Sequence, residues 1–318
     1  MLMGTQTSTA AGKPADSKTV QSRRQQLYDL MGRLPPRDRK VGAQLLATED
    51  RGSYTLEKLV LDLNGQEPVP AYYASPKGGS GKRPTVLFHH SHGGGYKIGK
   101  AEFIDGREYL AKPSYAEFLT SLGYNALCID AWIFGERSGR AELDMYKDMI
   151  WQGRVLWGMM VYDSLKAVDY LTTRPDVDTS RLGSVGISMG SSSAQWVGAL
   201  DPRIKVTVDI CCLTDWHTLV EVGGLKGHGI YYYVPDLLTH FTASQMNELI
   251  APRPHLALAG NLDALTPVAG LEKIDADLKK AYASAGNPGH WKLVRSDTAH
   301  LETPAMREEI RQWFVKHL

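Results

Sequence analysis

Cysteine is scarce, with Cys128, Cys211 and Cys212 the only three in 318 residues, and none has the paired spacing that a zinc site or a redox motif needs. They read as buried thiols of a reducing compartment. Cys211 and Cys212 are adjacent, so on a strand they would face opposite ways and could not bridge. No stretch approaches the roughly 20 apolar residues that cross a bilayer. The N-terminal MLMGTQTSTAAGKPADSKTV lacks the apolar core of a secretory signal. A cytoplasmic location is the simplest expectation, a secreted mature chain being the alternative. Charge of one sign is missing too: the formal net charge is +1, which gives no general attraction to nucleic acid or to an anionic membrane. A small, weakly charged partner fits that balance, with homo-oligomerisation left open. No internal repeat occurs, and the single low-complexity patch is the loop Lys77 to Lys82.

What is present is an ordinary globular composition, 43% hydrophobic and 22% charged, in a chain long enough for one α/β domain. Residues 1 to 20 are expected to form a tail, because their Ser, Thr, Ala and Lys bury too little to order themselves. Residues 21 to 318 are then expected to form one α/β domain. A short helix is expected from Gln25 to Met31, stopped by Pro35 and Pro36. Tyr54 to Leu63 and Val69 to Ala74 alternate in the manner of antiparallel edge strands. Beyond them the pattern changes to short apolar runs: Thr85 to Phe88, Ala126 to Ile129, Leu182 to Ile187, Val206 to Ile210 and His255 to Leu258. Such runs suit strands buried on both faces. Helical spacing over Tyr115 to Leu122, Trp157 to Leu171 and Leu271 to Ala285 lies between most of them. The chain closes on a strand near Trp291 to Val294 and a helix from Pro304 to His317. This βαβ rhythm predicts an α/β fold with a mostly parallel, doubly wound sheet and helices on both faces.

The sharpest chemical signal is Gly186-Ile187-Ser188-Met189-Gly190. It matches G-x-S-x-G directly after an apolar strand and before a small-residue helix start. A nucleophile on so tight a turn needs small neighbours, and the next helix aims its N–H groups at developing negative charge. A serine hydroxyl needs a base with a pKa near 7, and imidazole supplies one. His300 follows the last strand, and Asp263 follows the strand starting at His255. The order Ser, acid, His is the one this kind of site uses. Each partner has a plain alternative: Asp263 could cap the helix beginning near Thr266, and His300 could merely precede a helix. Asp215, beside Trp216 and His217, is the rival acid. His290, His217 and His228 are weaker bases by position.

His89-His90-Ser91-His92-Gly93-Gly94-Gly95-Tyr96 follows the strand Thr85 to Phe88 and reads as an oxyanion loop. Gly93 and Gly94 would offer backbone N–H groups, and Met189 a second donor. A metal reading of the three histidines is weaker, since zinc ligands are usually spaced on rigid elements. No metal and no cofactor are expected. In the run Asp130 to Arg137, Asp130, Glu136 and Arg137 are expected to hold the loop by ion pairing. Trp132 and Phe134 are expected to line a substrate pocket together with His92, Tyr96, Trp216 and Tyr232. The aromatic insert Leu213 to Met246 reads equally well as a lid or as ordinary packing.

The run GMMVYDSLKAVDYLTTRPDVDTSRLGSVGISMGSSSAQWVGALDPRIKVTVDICCLTDW resembles the dienelactone hydrolase and acetyl xylan esterase branch of the α/β hydrolases. HHSHGGGYKIGK, DAWIFGER, GNLDALTPV and DTAH extend the likeness from about Tyr54 to the C-terminus. The resemblance implies hydrolysis of small carboxylic esters through an acyl-enzyme, with Ser188, Asp263 and His300 as the triad. Dienelactone hydrolases proper carry cysteine where Ser188 stands, which favours a short-chain esterase or deacetylase over lactone opening. The chain is also similar to prolyl oligopeptidase catalytic domains but lacks their propeller, so a peptidase ranks second. A non-catalytic binding protein on the same fold ranks third.

Overall fold

The computed structural model describes residues 17–78 and 81–318. The expected tail lies outside the described residues up to position 16, and its last four positions prove helical. Nine strands build one sheet: β1 Gly42–Asp50, β2 Tyr54–Asp62, β3 Val69–Pro76, β4 Arg83–His89, β5 Asn125–Ile129, β6 Val177–Ile187, β7 Ile204–Ile210, β8 His255–Gly260 and β9 Trp291–Ser296. Their spatial order is β1-β2-β3-β5-β4-β6-β7-β8-β9. The first three strands and the β3–β5 pair run antiparallel, and every pairing from β5 to β9 is parallel.

The helices are α1 Ser17–Asp29, α2 Ala101–Asp105, α3 Tyr115–Ser121, α4 Glu142–Trp151, α5 Leu156–Thr173 and α6 Met189–Leu200. After these come α7 Trp216–Glu221, α8 Leu237–His240, α9 Ala243–Glu248, α10 Val268–Ser284 and α11 Pro304–His317. None of the described helices is long and apolar enough to cross a membrane.

The apolar runs exist because each parallel strand faces two cores. On β4, Val86 and Phe88 point to one core with Phe103, Tyr115 and Phe314, while Leu87 points to the other with Trp157 and Trp196. On β8, Leu256 and Leu258 take the first face, and Ala257 and Ala259 the second. A strand with no solvent face has no reason to alternate in polarity.

The N-terminal helix and β1 depart from expectation. The first helix starts at Ser17, well before Gln25, because Arg23 and Arg24 reach the carbonyls of His240, Ala199 and Leu249 and fix it to the body. Strand β1 carries the helix-favouring sequence GAQLLATED, yet it pairs with β2 along its length. Tertiary pairing there overrides propensity. The insert Leu213 to Met246 contains only short turns of helix, with Trp216, Leu219, Tyr231, Leu237 and Phe241 packed into the core beside α5 and α6. All three cysteines are buried and unpaired.

Candidate active site

Ser188 occupies the turn between β6 and α6 at φ 59° and ψ −122°, a conformation that L-residues avoid. The glycines around it are steric necessities. A Cβ on Gly186 would strike the carbonyl of Gly190, and one on Gly190 would strike the carbonyl of His89. The Ser188 N–H donates to the Ile210 carbonyl at 2.9 Å, which ties the turn to the end of β7. As the first residue of α6, Met189 has an N–H with no acceptor inside the helix.

Asp263 and His300 come from the neighbouring rim. His300 Nδ1 donates to Asp263 Oδ2 at 2.7 Å, with the carboxylate 1% and the imidazole 26% exposed. The other carboxylate oxygen accepts the Leu265 N–H at 2.9 Å. This pairing places the proton on Nδ1 and leaves Nε2 as a lone pair. His300 Nε2 is shielded from solvent without a hydrogen-bond partner, and Ser188 is not bonded to it in this structure. The two loops are zipped by backbone bonds from Asn261 N–H to Ser296 O at 2.7 Å and from Leu262 N–H to Thr298 O at 3.0 Å. Cys211 connects the halves. It directly follows Ile210, and its sulfur lies within 4.8 Å of ligand-type atoms of Asp263 and His300. Burial pushes the Cys211 thiol far up, so it stays protonated and points at the Leu301 carbonyl at 3.5 Å.

Asp215 does other work. Its Oδ1 caps α7 through the Thr218 N–H at 3.0 Å and pairs with Lys273 at 3.0 Å. Burial pushes its carboxyl up, but the Thr218 and Lys273 contacts outweigh that and hold it below the usual range.

The three loop histidines diverge onto separate partners. His89 Nε2 meets Ser184 Oγ at 2.9 Å in full burial, which presses its pKa down to about 3. His90 accepts the Ala131 N–H at Nε2, 3.0 Å away, and faces the Ser91 carbonyl with Nδ1. His92 accepts the Gly94 N–H at Nδ1, 3.0 Å, and donates from Nε2 to Glu142 Oε2 at 2.7 Å. The Gly94 N–H is thus already engaged. Arg107 lies across the loop and donates to the Gly93 carbonyl at 3.3 Å. A Cβ on Gly93 would come within 2.5 Å of the Tyr109 hydroxyl and 2.7 Å of the Arg107 guanidinium, and one on Gly95 within 2.8 Å of that guanidinium, so these glycines make room for both side chains.

Of the expected pocket residues, His92, Tyr96 and Phe134 cluster together, and His92 stacks on Tyr231 at 5.3 Å. Trp216 donates to Tyr232 at 2.7 Å, and the Tyr232 ring stacks on His228 at 4.9 Å. Trp132 stands apart, buried beneath the Arg137 guanidinium at 4.6 Å. The ion-pairing expectation for the adjoining run is met. Lys100 reaches Asp130 at 2.8 Å and also Glu136, and Arg137 reaches Glu67 at 2.6 Å and Asp163 at 2.9 Å.

Sequence reading missed Glu142, whose carboxylate is buried at the start of α4; His228, ranked as a weaker base, has its Nε2 at 3.2 Å from the Leu265 carbonyl. A glutamate opening a helix is a visible signal, but its burial is not.

No protein-family model matches the chain. A protein of Bacillus subtilis (strain 168) with the name "Putative hydrolase YtaP" is 49% identical over 296 residues, spanning 93% of this chain and 99% of that one. Among solved structures, a glucuronoyl esterase from Solibacter usitatus superposes with a TM-score of 0.67 at 15% identity, over 95% of this chain and 93% of that one. An acetyl xylan esterase from Paenibacillus sp. R4 gives a TM-score of 0.62 at 18% identity, over 96% and 97%. At those identities the likeness establishes the fold, and the Bacillus relative establishes the kinship. The chain has the α/β-hydrolase fold and belongs to the hydrolase family that includes YtaP.

Proposed function

We propose that the protein is a serine esterase cleaving small acyl esters through an acyl-enzyme, with Ser188 as nucleophile, His300 as base and Asp263 as its orienting acid. The observation that carries this reading is the His300 Nδ1 to Asp263 bond at 2.7 Å, with Nε2 unpartnered, on the rim that also holds the strained Ser188 turn. Ser188 Oγ attacks the ester carbonyl carbon as its proton passes to His300 Nε2. The carbonyl oxygen becomes an oxyanion, for which Met189 and Gly93 supply N–H donors. Collapse breaks the carbon–oxygen bond to the alcohol, which takes the proton from His300. Water then repeats the cycle on the acyl-serine and releases the acid. Acyl groups of acetyl size are the preferred substrates on this reading, as in the acetyl xylan esterase whose fold the chain shares.

The test is turnover of p-nitrophenyl esters of rising acyl length by wild type and Ser188→Ala. Wild type is expected to favour the shortest acyl groups, and the folded variant to lose about 10³- to 10⁶-fold in kcat. Near-normal turnover by folded Ser188→Ala would refute the assignment.

A further inference from the structure

Glu142 sits where three parts of the molecule meet. It is the first residue of α4, buried, with the helix N-terminus favouring its negative charge. Its Oε2 accepts from His92 Nε2 at 2.7 Å and from the Tyr96 hydroxyl at 2.9 Å, both on the glycine loop. Its Oε1 accepts the Tyr231 N–H of the insert at 3.2 Å. A Cβ on Gly229 would come within 2.8 Å of the Tyr231 ring and 2.9 Å of that same oxygen. Burial alone would raise the carboxyl, but the His92 and Tyr96 bonds outweigh it and hold Glu142 below the ordinary range, as a carboxylate.

The bonds continue past His92. With Nε2–H committed to Glu142, His92 Nδ1 is an acceptor and takes the Gly94 N–H. The carbonyl of that same peptide, on Gly93, accepts from Arg107. A run of polarised bonds therefore leads from Arg107 through the Gly93–Gly94 peptide and His92 to Glu142, and on to the insert. It fixes the orientation of the peptide plane that neighbours the Gly93 N–H.

We propose that Glu142 is a positioning residue: acting through His92, it holds the glycine loop in the orientation that stabilises the oxyanion, and through Tyr231 it locks the insert onto that loop. This rests on the esterase reading given above. Three donors converge on its two oxygens, a demand that only a carboxylate meets. Glutamine matches its volume but must turn an N–H₂ toward one of those donors.

The experiment compares wild type with Glu142→Gln and Glu142→Ala on p-nitrophenyl acetate, each normalised by fluorophosphonate titration of Ser188. Oxyanion contacts form in the transition state, so kcat per titrated site is expected to fall about 10- to 100-fold while KM stays within about threefold. The inhibition constant of a boronic acid, which mimics the tetrahedral adduct, should rise in parallel. Tyr96→Phe, which removes one donor only, should give a smaller loss in kcat and serves if Glu142→Ala does not fold. Folded Glu142→Gln with kcat and boronate affinity within twofold of wild type would overturn the proposal. Absence of labelling or turnover in the wild type would instead sink the esterase reading, so the two failures are separable.

Discussion

Two aspartates follow buried strands, and only one of them meets the His300 imidazole. Asp263 reaches His300 at 2.7 Å, whereas Asp215 is spent on Thr218 and Lys273. Asp263→Asn is expected to lower kcat by about 10⁴-fold, since the amide no longer holds the imidazole in its working tautomer. Asp215→Asn should leave kcat within about tenfold and, since Asn caps a helix as well as Asp, lower stability by no more than ~1 kcal/mol through loss of the Lys273 pair. Initial rates on one activated ester, with thermal melts alongside, check both. A large kinetic loss for Asp215→Asn beside a near-normal Asp263→Asn would reverse the roles. The pairing of Asp263 with His300 was legible because chain order and strand ends restrict such a partner to a few places. The task of Gly93 and Gly95 was not: nothing in HHSHGGGY says that Arg107, beyond a turn and a short helix, will lie across them.

At the scale of elements, the segment Asp130 to Arg137 joins the sheet to the helices above it. Arg137 donates to the Asp130 carbonyl and pairs with Glu67 between β2 and β3 and with Asp163 inside α5. Asp163 is fully buried, and that burial raises its carboxyl even beside Arg137 and Asn64. Removing the guanidinium would strand a buried carboxylate, so Arg137→Met should cost about 3–5 kcal/mol. Adding Asp163→Asn should recover a good part of that loss. Urea unfolding of the single and double variants decides it, and additive losses would show that the pair is not coupled. The parallel strands were readable because two-sided burial writes itself as an apolar run. Strand β1 was not, because Leu45 and Leu46, each 56% exposed, give it neither a run nor a clean alternation. The many short turns of the insert escaped for a similar reason: their order comes from contacts with α4, α5 and α6 rather than from local periodicity.

For the molecule as a whole, burial of a histidine sets a slope of stability with pH. His89 is held neutral in the fold, with its pKa lowered from 6.5 to about 3 by desolvation. The unfolded chain takes up that proton below pH 6.5 and the native protein does not. The contribution is therefore complete above pH 6.5 and is lost as pH falls toward 3. Within that window the loss approaches ~1.4 kcal/mol per pH unit. His89→Gln, which keeps an acceptor near Ser184, should flatten the fall by nearly that slope. Denaturant unfolding of both proteins between pH 4 and pH 7 measures it, and parallel slopes would exclude His89 as the source.

One consequence of the zipped loops concerns truncation. Ser188, the glycine loop and Glu142 all precede β7 in the chain, while His300 follows β9 and is aligned by the pairing of β9 with β8, by the bonds from Asn261 and Leu262 and by Asp263. On the proposed mechanism, a chain cut before β9 would hold the Ser188 side chain and no base to arm it. On that mechanism hydrolysis needs β9 and the loop after it, so loss of this segment would silence Ser188 whatever else of the fold remained.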